Sequence, residues 1–301
     1  MLRARGLDPP GRGPGAHPGD RADLEVAGVR DGQEPRRRGG ELPDPAIDAG
    51  PYRYLWIDAL TQRSREAGRI VNVCAVVATA VNANGQREVL GIDVVTREDG
   101  AAWTAFLRGL VARGLSGVEL VISDAHEGLK DAIASVLGGA SWQRCRTHFM
   151  RNLLTRVPRS AQGMVATVVR STFAQPDAET TWAQLERVSL QLQEKFPVVA
   201  TMLLDAAPDI LAFTAFPKEH WRQIWSNNPQ ERLNKELRRR SDVVGILPNR
   251  PAIVRLLGAV LAEQHDEWAI ARRYMSVESL AASTSASIID TTQEVPTLNA
   301  A

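Results

Sequence analysis

Cysteine is scarce: the chain has two, Cys74 and Cys145, too few for a disulfide framework and in keeping with a reducing compartment. Charge of one sign is missing too. Lys and Arg number 36 against 35 Asp and Glu, so the overall balance says nothing for a nucleic-acid partner, and any such argument must come from local clusters. Long apolar runs are absent. The most continuous, around Val71 to Val81, is broken by Asn72 and Thr79 and is too short to cross a bilayer, and the start shows no apolar block of a signal peptide. The expectation is a cytoplasmic protein with no membrane partner. No Walker-type loop, Gly-rich dinucleotide fingerprint or Gly-x-Ser-x-Gly elbow occurs, which leaves the enzyme classes built on those motifs without support.

What is present is enough for a core: 44% of 301 residues are apolar. The apolar residues are unevenly spread. Residues 1–50 hold 10 of the 23 glycines, 7 of the 17 prolines and the run Arg36-Arg37-Arg38, a composition that cannot build a core and predicts a disordered segment. The arginine run reads as a nucleic-acid arm or as the product of a mis-assigned start or a frameshifted GC-rich gene. The tail, 276–301, has no Lys or Arg and many small polar residues, and is expected to be disordered.

Between them the pattern is that of a folded chain. Tyr52 to Leu60, Val71 to Asn82 and Arg87 to Thr96 are β-branched or apolar runs. Gly68 and the hairpin signal Asn82-Ala83-Asn84-Gly85 separate them, so three antiparallel strands are predicted. Asp99-Gly100 opens a helix with Trp103, Phe106, Leu107, Leu110 and Val111 at helical spacing. Val118 to Ser123 is a short apolar strand, Glu127 to Leu137 a helix, and a strand around Trp142 to Cys145 leads into a basic helix. This order predicts an α/β fold with a ribonuclease-H-like mixed sheet. The predicted catalytic core spans 51–155. An all-helical insertion, 156–222, places Trp182, Leu185, Val188, Leu192 and Phe196 at three- and four-residue intervals, and 223–275 forms the C-terminal helical part of the core.

Two carboxylates stand where burial is costly. Asp58 lies inside the first apolar run, and Asp124 ends the later one. If those strands are neighbours, the two acids come together, as they would around a shared cation; each alone is equally a strand-end Asp that caps a turn. Glu231 follows Asn228-Pro229-Gln230, where Asn228 suits an N-cap and Pro229 the first helical position, so Glu231 falls at the third and could merely close a capping box. Around it Arg232, Lys235, Arg238, Arg239 and Arg240 gather positive charge, as phosphodiester binding or a solvated face would. His126 after the Asp124 strand suits a helix start, and Trp221 and Trp225 suit core packing or base stacking.

Five blocks in order, Trp56-Ile57-Asp58-Ala59, Asn84 to Gly91, Ser123 to Leu129, Gln143 to Asn152 and Glu231 to Arg240, resemble the Mutator-type transposases of bacterial insertion sequences. The resemblance runs from Tyr52 to Tyr274. It implies a metal-dependent DDE-type DNA transposase, a polynucleotidyl transferase that cuts strands and joins them at insertion-sequence ends. Asp58, Asp124 and Glu231 would be the catalytic, metal-binding triad. Magnesium suits an all-oxygen ligand set, with manganese as substitute. DNA and a second copy of the chain are the implied partners, with the protein on the nucleoid when bound to DNA. Cys145 and His148 match the family's Cys-x-x-His element. Two ligands do not make a zinc site, so a structural or DNA-positioning role is expected. Family members carry a substantial N-terminal DNA-binding region, where this chain has its Gly/Pro/Arg segment, and Asn-Asn-Pro-Gln precedes Glu231 where a Thr-Asn pair is usual. A truncated, inactive remnant or a DNA-binding regulator that keeps the fold therefore stays open as an alternative, as does a ribonuclease-H-like nuclease.

Overall fold

A computed structural model of the chain describes residues 46–281. Strand β1 (Tyr54–Glu66) turns into β2 (Arg69–Val81), with positive φ at both Ala67 and Gly68, the backbone a two-residue hairpin of this hand requires. A second hairpin joins β2 to β3 (Arg87–Val95). There the Asn82 side-chain oxygen accepts the Asn84 and Gln86 N–H groups, and Gly85 takes a φ of 76°. Helix α1 (Gly100–Ala112) starts at Asp99, whose carboxylate accepts from Ala102 N–H. Strand β4 (Leu120–Ser123), helix α2 (Glu127–Val136) and strand β5 (Ser141–Arg144) follow. The sheet order is β3-β2-β1-β4-β5, with β1 to β3 antiparallel and β4 and β5 parallel to β1. This is the ribonuclease-H-like mixed sheet expected.

β1 runs to Glu66, six residues beyond the apolar run that announced it. Its second half alternates exposed Thr61, Arg63 and Arg65 with buried Leu60, Gln62 and Ser64, so the period of two persists in polar residues. Leu247 covers that half, exchanging backbone hydrogen bonds with Arg63 and Arg65.

Alternation sorts the core onto two faces. Leu55, Ile57, Val76, Ala78 and Val121 pack with α1 and α2 residues such as Leu107 and Ile133. On the opposite face, Tyr54, Trp56, Leu120 and Ile122 join the insertion helices. Further along that face, Leu60, Val73, Ala75 and Val77 meet Leu233, Leu237, Ile253 and Leu257. The latter four belong to α8 (Asn228–Val244) and α9 (Arg250–Ile270).

Before α8 come α3 (Arg146–Leu154), α4 (Arg159–Thr172), α5 (Ala178–Gln193), α6 (Pro197–Ile210) and the short α7 (Trp221–Ile224). Pro197–Ala215, α6 with the turn after it, is long and apolar enough by composition to cross a membrane. It exceeds the Val71 to Val81 run singled out above. Its Val199, Leu203, Ile210 and Phe213 are buried in the insertion's core with Phe173, Leu185 and Leu192, a protein interior rather than lipid.

The predicted disordered segments fall largely outside the described residues, but their inner edges do not. Ile47 is buried beside Leu110 and Leu115. Residues 274–281 dock onto the fold: Tyr274 and Met275 donate N–H bonds to the Gly85 carbonyl, Arg53 donates to the Leu280 carbonyl, and His220 Nε2 lies 2.8 Å from Ser279 Oγ.

Candidate active site

Tyr54, Trp56 and Asp58 alternate onto one face of β1. Two residues before Asp58 the face is packed by the insertion, and two residues after it Leu60 is packed by α8 and α9. Asp58 thus stands in the seam between two apolar clusters, partly buried. Its Oδ1 accepts from Ala59 N–H at 3.0 Å and its Oδ2 from Asn234 Nδ2 at 2.7 Å. Burial pushes its carboxyl up to about 6. The Ala59 hydrogen bond and His148 oppose that rise, and Asp124 and Glu231 add to it.

The parallel pairing Tyr54↔Leu120, Leu55↔Val121, Trp56↔Ile122 leads, two residues further along both strands, to Asp58 beside Asp124. Asp124 lies one residue past β4, its side chain 54% exposed, and its Oδ1 accepts from Ala125 N–H. The turn holding it is tied down through Ser123, whose hydroxyl accepts from Trp142 Nε1.

Helix α8 begins one residue earlier than the sequence suggested. Asn227 is the N-cap, without a side-chain capping bond, Asn228 is the first helical residue and Pro229 the second. The reason is local: two adjacent asparagines can each fill the cap, and proline is tolerated throughout the unpaired first turn. Glu231 therefore falls one position beyond a capping box. Its Oε1 instead lies 3.1 Å from His148 Nε2, and the other ring nitrogen of His148 is 3.7 Å from Asp124 Oδ2. A single imidazole thus sits between two of the three acids. The Cys145 sulfur, then Asp124 and Glu231, push His148 up to about 9 against the effect of burial. The buried Glu231 Oε1 has the His148 imidazole as its ion-pair partner; His148 Nδ1 is buried and makes no hydrogen bond among the described residues, and a buried polar atom short of a partner marks a place where a further ligand fits.

Asp58, Asp124, His148 and Glu231 line one open cleft of about 670 Å³, together with Arg151, Arg232, Asn234, Lys235, Arg238 and Arg239. Glu231, Asn234 and Arg238 follow the three- and four-residue rhythm of one face of α8, while Leu233 and Leu237 turn to the core. Of the five basic residues expected here, Arg240 is not part of the cleft wall. It pairs with Glu236 at 3.1 Å and Glu263 at 3.8 Å, and Arg239 shares Glu236 at 2.6 Å, which together hold the Glu236 carboxyl down at about 2.

His126 caps α2, accepting from Leu129 N–H at 3.3 Å, and contacts the Glu98 carbonyl. It is a helix-start residue. Trp221 is buried edge-on against Phe213. Trp225 is half-buried, with the Arg146 guanidinium 3.5 Å above its ring. Sequence reasoning did not single out Asn234 or Arg151. Asn234 lies on the Glu231 face one turn on, a spacing that could have flagged it; no signal of comparable strength points to Arg151.

The profile of the family described as Transposase, Mutator family matches residues 44–271. The chain is 59% identical over 234 residues to the transposase for insertion sequence element IS1081 of Mycobacterium tuberculosis, covering 78% of this chain and 56% of that protein. It is 39% identical over 231 residues to the transposase for IS406 of Burkholderia multivorans, covering 75% and 59%. It is 36% identical over 230 residues to the transposase for IS256 in transposon Tn4001 of Staphylococcus aureus, again covering 75% and 59%. The chain thus spans somewhat over half the length of the curated relatives it matches.

Proposed function

The chain belongs to the Mutator family of transposases, and from that premise we propose that it is a DDE-type DNA strand transferase. Asp58, Asp124 and Glu231 would be its metal-holding acids, and the ends of an insertion sequence its substrate. The observation that carries this reading is the convergence of three carboxylates, from β1, from the end of β4 and from α8, on one cleft whose wall also carries Arg151, Arg232, Lys235 and Arg238.

The donor set fits a hard divalent cation. Every triad donor is an oxygen, and a carboxyl pushed up by burial and by two neighbouring acids regains its charge beside a cation. Bound there, magnesium or manganese would supply Lewis-acid activation and charge neutralisation for an in-line displacement at phosphorus.

The chain's own residues prepare that displacement. Neighbouring strands fix the separation of Asp58 and Asp124. The Asn234 amide sets the Asp58 rotamer by holding Oδ2, and His148, on α3, steadies Glu231 and Asp124. Arg232, Lys235 and Arg238 draw the phosphodiester to the acids and set its register. In the reaction the attacking oxygen, of water or of a 3′-hydroxyl, forms a bond to phosphorus as the scissile phosphorus–oxygen bond breaks. Action as a homo-oligomer on paired DNA ends, on the nucleoid, belongs to the same proposal.

The test is cleavage and strand transfer on DNA carrying the terminal sequences that flank the chain's own gene, with magnesium or manganese. Activity in the parent and loss of it in each of Asp58→Ala, Asp124→Ala and Glu231→Ala is the expected result. A folded parent inert with both metals would return the reading to a remnant or regulator.

A further inference from the structure

The Cys-x-x-His element does more in the fold than brace a helix. Cys145 follows β5 and is the N-cap of α3, fully buried, its sulfur accepting the Asn227 N–H at 3.2 Å. His148 follows on the first turn of α3, and Glu231 approaches from α8. One donor atom from each of the three, a sulfur, an imidazole nitrogen and a carboxylate oxygen, lies within 4.8 Å of the others. Glu231 Oε1 lies 3.1 Å from His148 Nε2, and Nδ1 of His148 is buried with no hydrogen bond among the described residues. The sequence offered only two ligands; the fold brings the third.

We propose that Cys145, His148 and Glu231 form a second metal site, thiophilic in character, that takes zinc(II) and ions like it and shares Glu231 with the oxygen-ligand cluster. Sulfur and imidazole select zinc-class ions over magnesium. A tetrahedral zinc ion places its ligand atoms about 3.5 Å apart, so side-chain adjustments of roughly an ångström close the set, with solvent as the fourth ligand. Glu231 cannot serve both ions in full, so zinc bound here draws it away from Asp58 and Asp124. That consequence rests on the transposase reading; the binding does not.

Cobalt(II) is the probe, because a thiolate bound to it produces an intense near-ultraviolet charge-transfer band. The chain has two cysteines, Cys74 and Cys145, so the assignment is binary. On the full chain, without DNA, the band should appear in the parent and in Cys74→Ser, be absent in Cys145→Ser, and be abolished by added zinc. Cobalt affinity should fall about tenfold or more in Glu231→Gln, an isosteric change that leaves the helix intact, and stay within about twofold in Glu263→Gln, an exposed acid of α9 outside the cleft. A band that persists in Cys145→Ser, or Glu231→Gln binding cobalt as tightly as the parent, would overturn the proposal. Because no strand cleavage is read, failure of the transposase reading and failure of this one give different results.

Discussion

A carboxylate with apolar clusters before and behind it on its strand is harder to ionise than one in water, and Asp58 shows the effect with its pKa near 6. A raised folded-state value means that the native state holds a proton the unfolded chain has released. Asp58 therefore favours folding at pH 4 and loses that contribution as pH climbs through 6. His148, raised to about 9, contributes stability that is complete below its unfolded value of 6.5 and is lost as pH rises through 9. In chelated buffer, denaturant unfolding followed from pH 4 to pH 10 should show both declines. Asp58→Asn should abolish the first and stabilise the metal-free protein at pH 7.5 by on the order of 1–3 kcal/mol, and under the proposed strand-transferase reading it also removes cleavage. His148→Ala should abolish the second. Asn234→Ala removes the hydrogen bond that fixes Asp58 Oδ2. If Asp58 holds a metal as proposed, loss of the group that orients it lowers metal affinity or activity about 10–100-fold, and the magnesium concentration for half-maximal cleavage should rise accordingly.

At the level of elements, the hairpin between β2 and β3 does more than reverse the chain. A Cβ on Gly85 would collide with the Met275 carbonyl oxygen, at a φ of 76° that L-residues seldom adopt. Gly85→Ala should therefore destabilise the protein by about 1 kcal/mol or more and undock residues 274–281, read as faster limited proteolysis near Tyr274. That hairpin was legible because Asn-x-Asn-Gly between apolar runs has a single common meaning. The polar half of β1 was not, since Thr61 to Glu66 carries its alternation in residues that hydropathy does not separate. The start of α8 was off by one because Asn227 and Asn228 are chemically alike. The three acids could be named from strand ends, a helix start and a family resemblance. That His148 lies between two of them could not, because no spacing along the chain encodes the approach of α3 to α8.

Across the whole molecule, positive charge is local although net charge is close to zero. Arg151 lines both the acidic cleft and a neighbouring groove formed with Arg146, Arg170, Arg222 and Trp225, so the basic surface extends from the acids onto the insertion. If DNA follows it, each phosphate contact contributes to the salt dependence of binding. Arg151→Ala and Arg238→Ala should each weaken DNA binding and reduce the slope of log affinity against log salt by about one, measured by fluorescence anisotropy. Arg240→Ala should leave the slope unchanged, since its guanidinium pairs with Glu236 and Glu263.

The pairing of β1 with β4 works as a ruler. Sixty-six positions separate Tyr54 from Leu120, Leu55 from Val121 and Trp56 from Ile122, and the same interval separates Asp58 from Asp124. A slip of one residue would carry Asp124 about 3.3 Å along the strand and turn its side chain to the other face, so the gap between the two acids is graduated in backbone hydrogen bonds rather than in side-chain contacts. Whatever lies between the strands in the chain, the two acids stay level as long as the two short apolar scales stay in alignment.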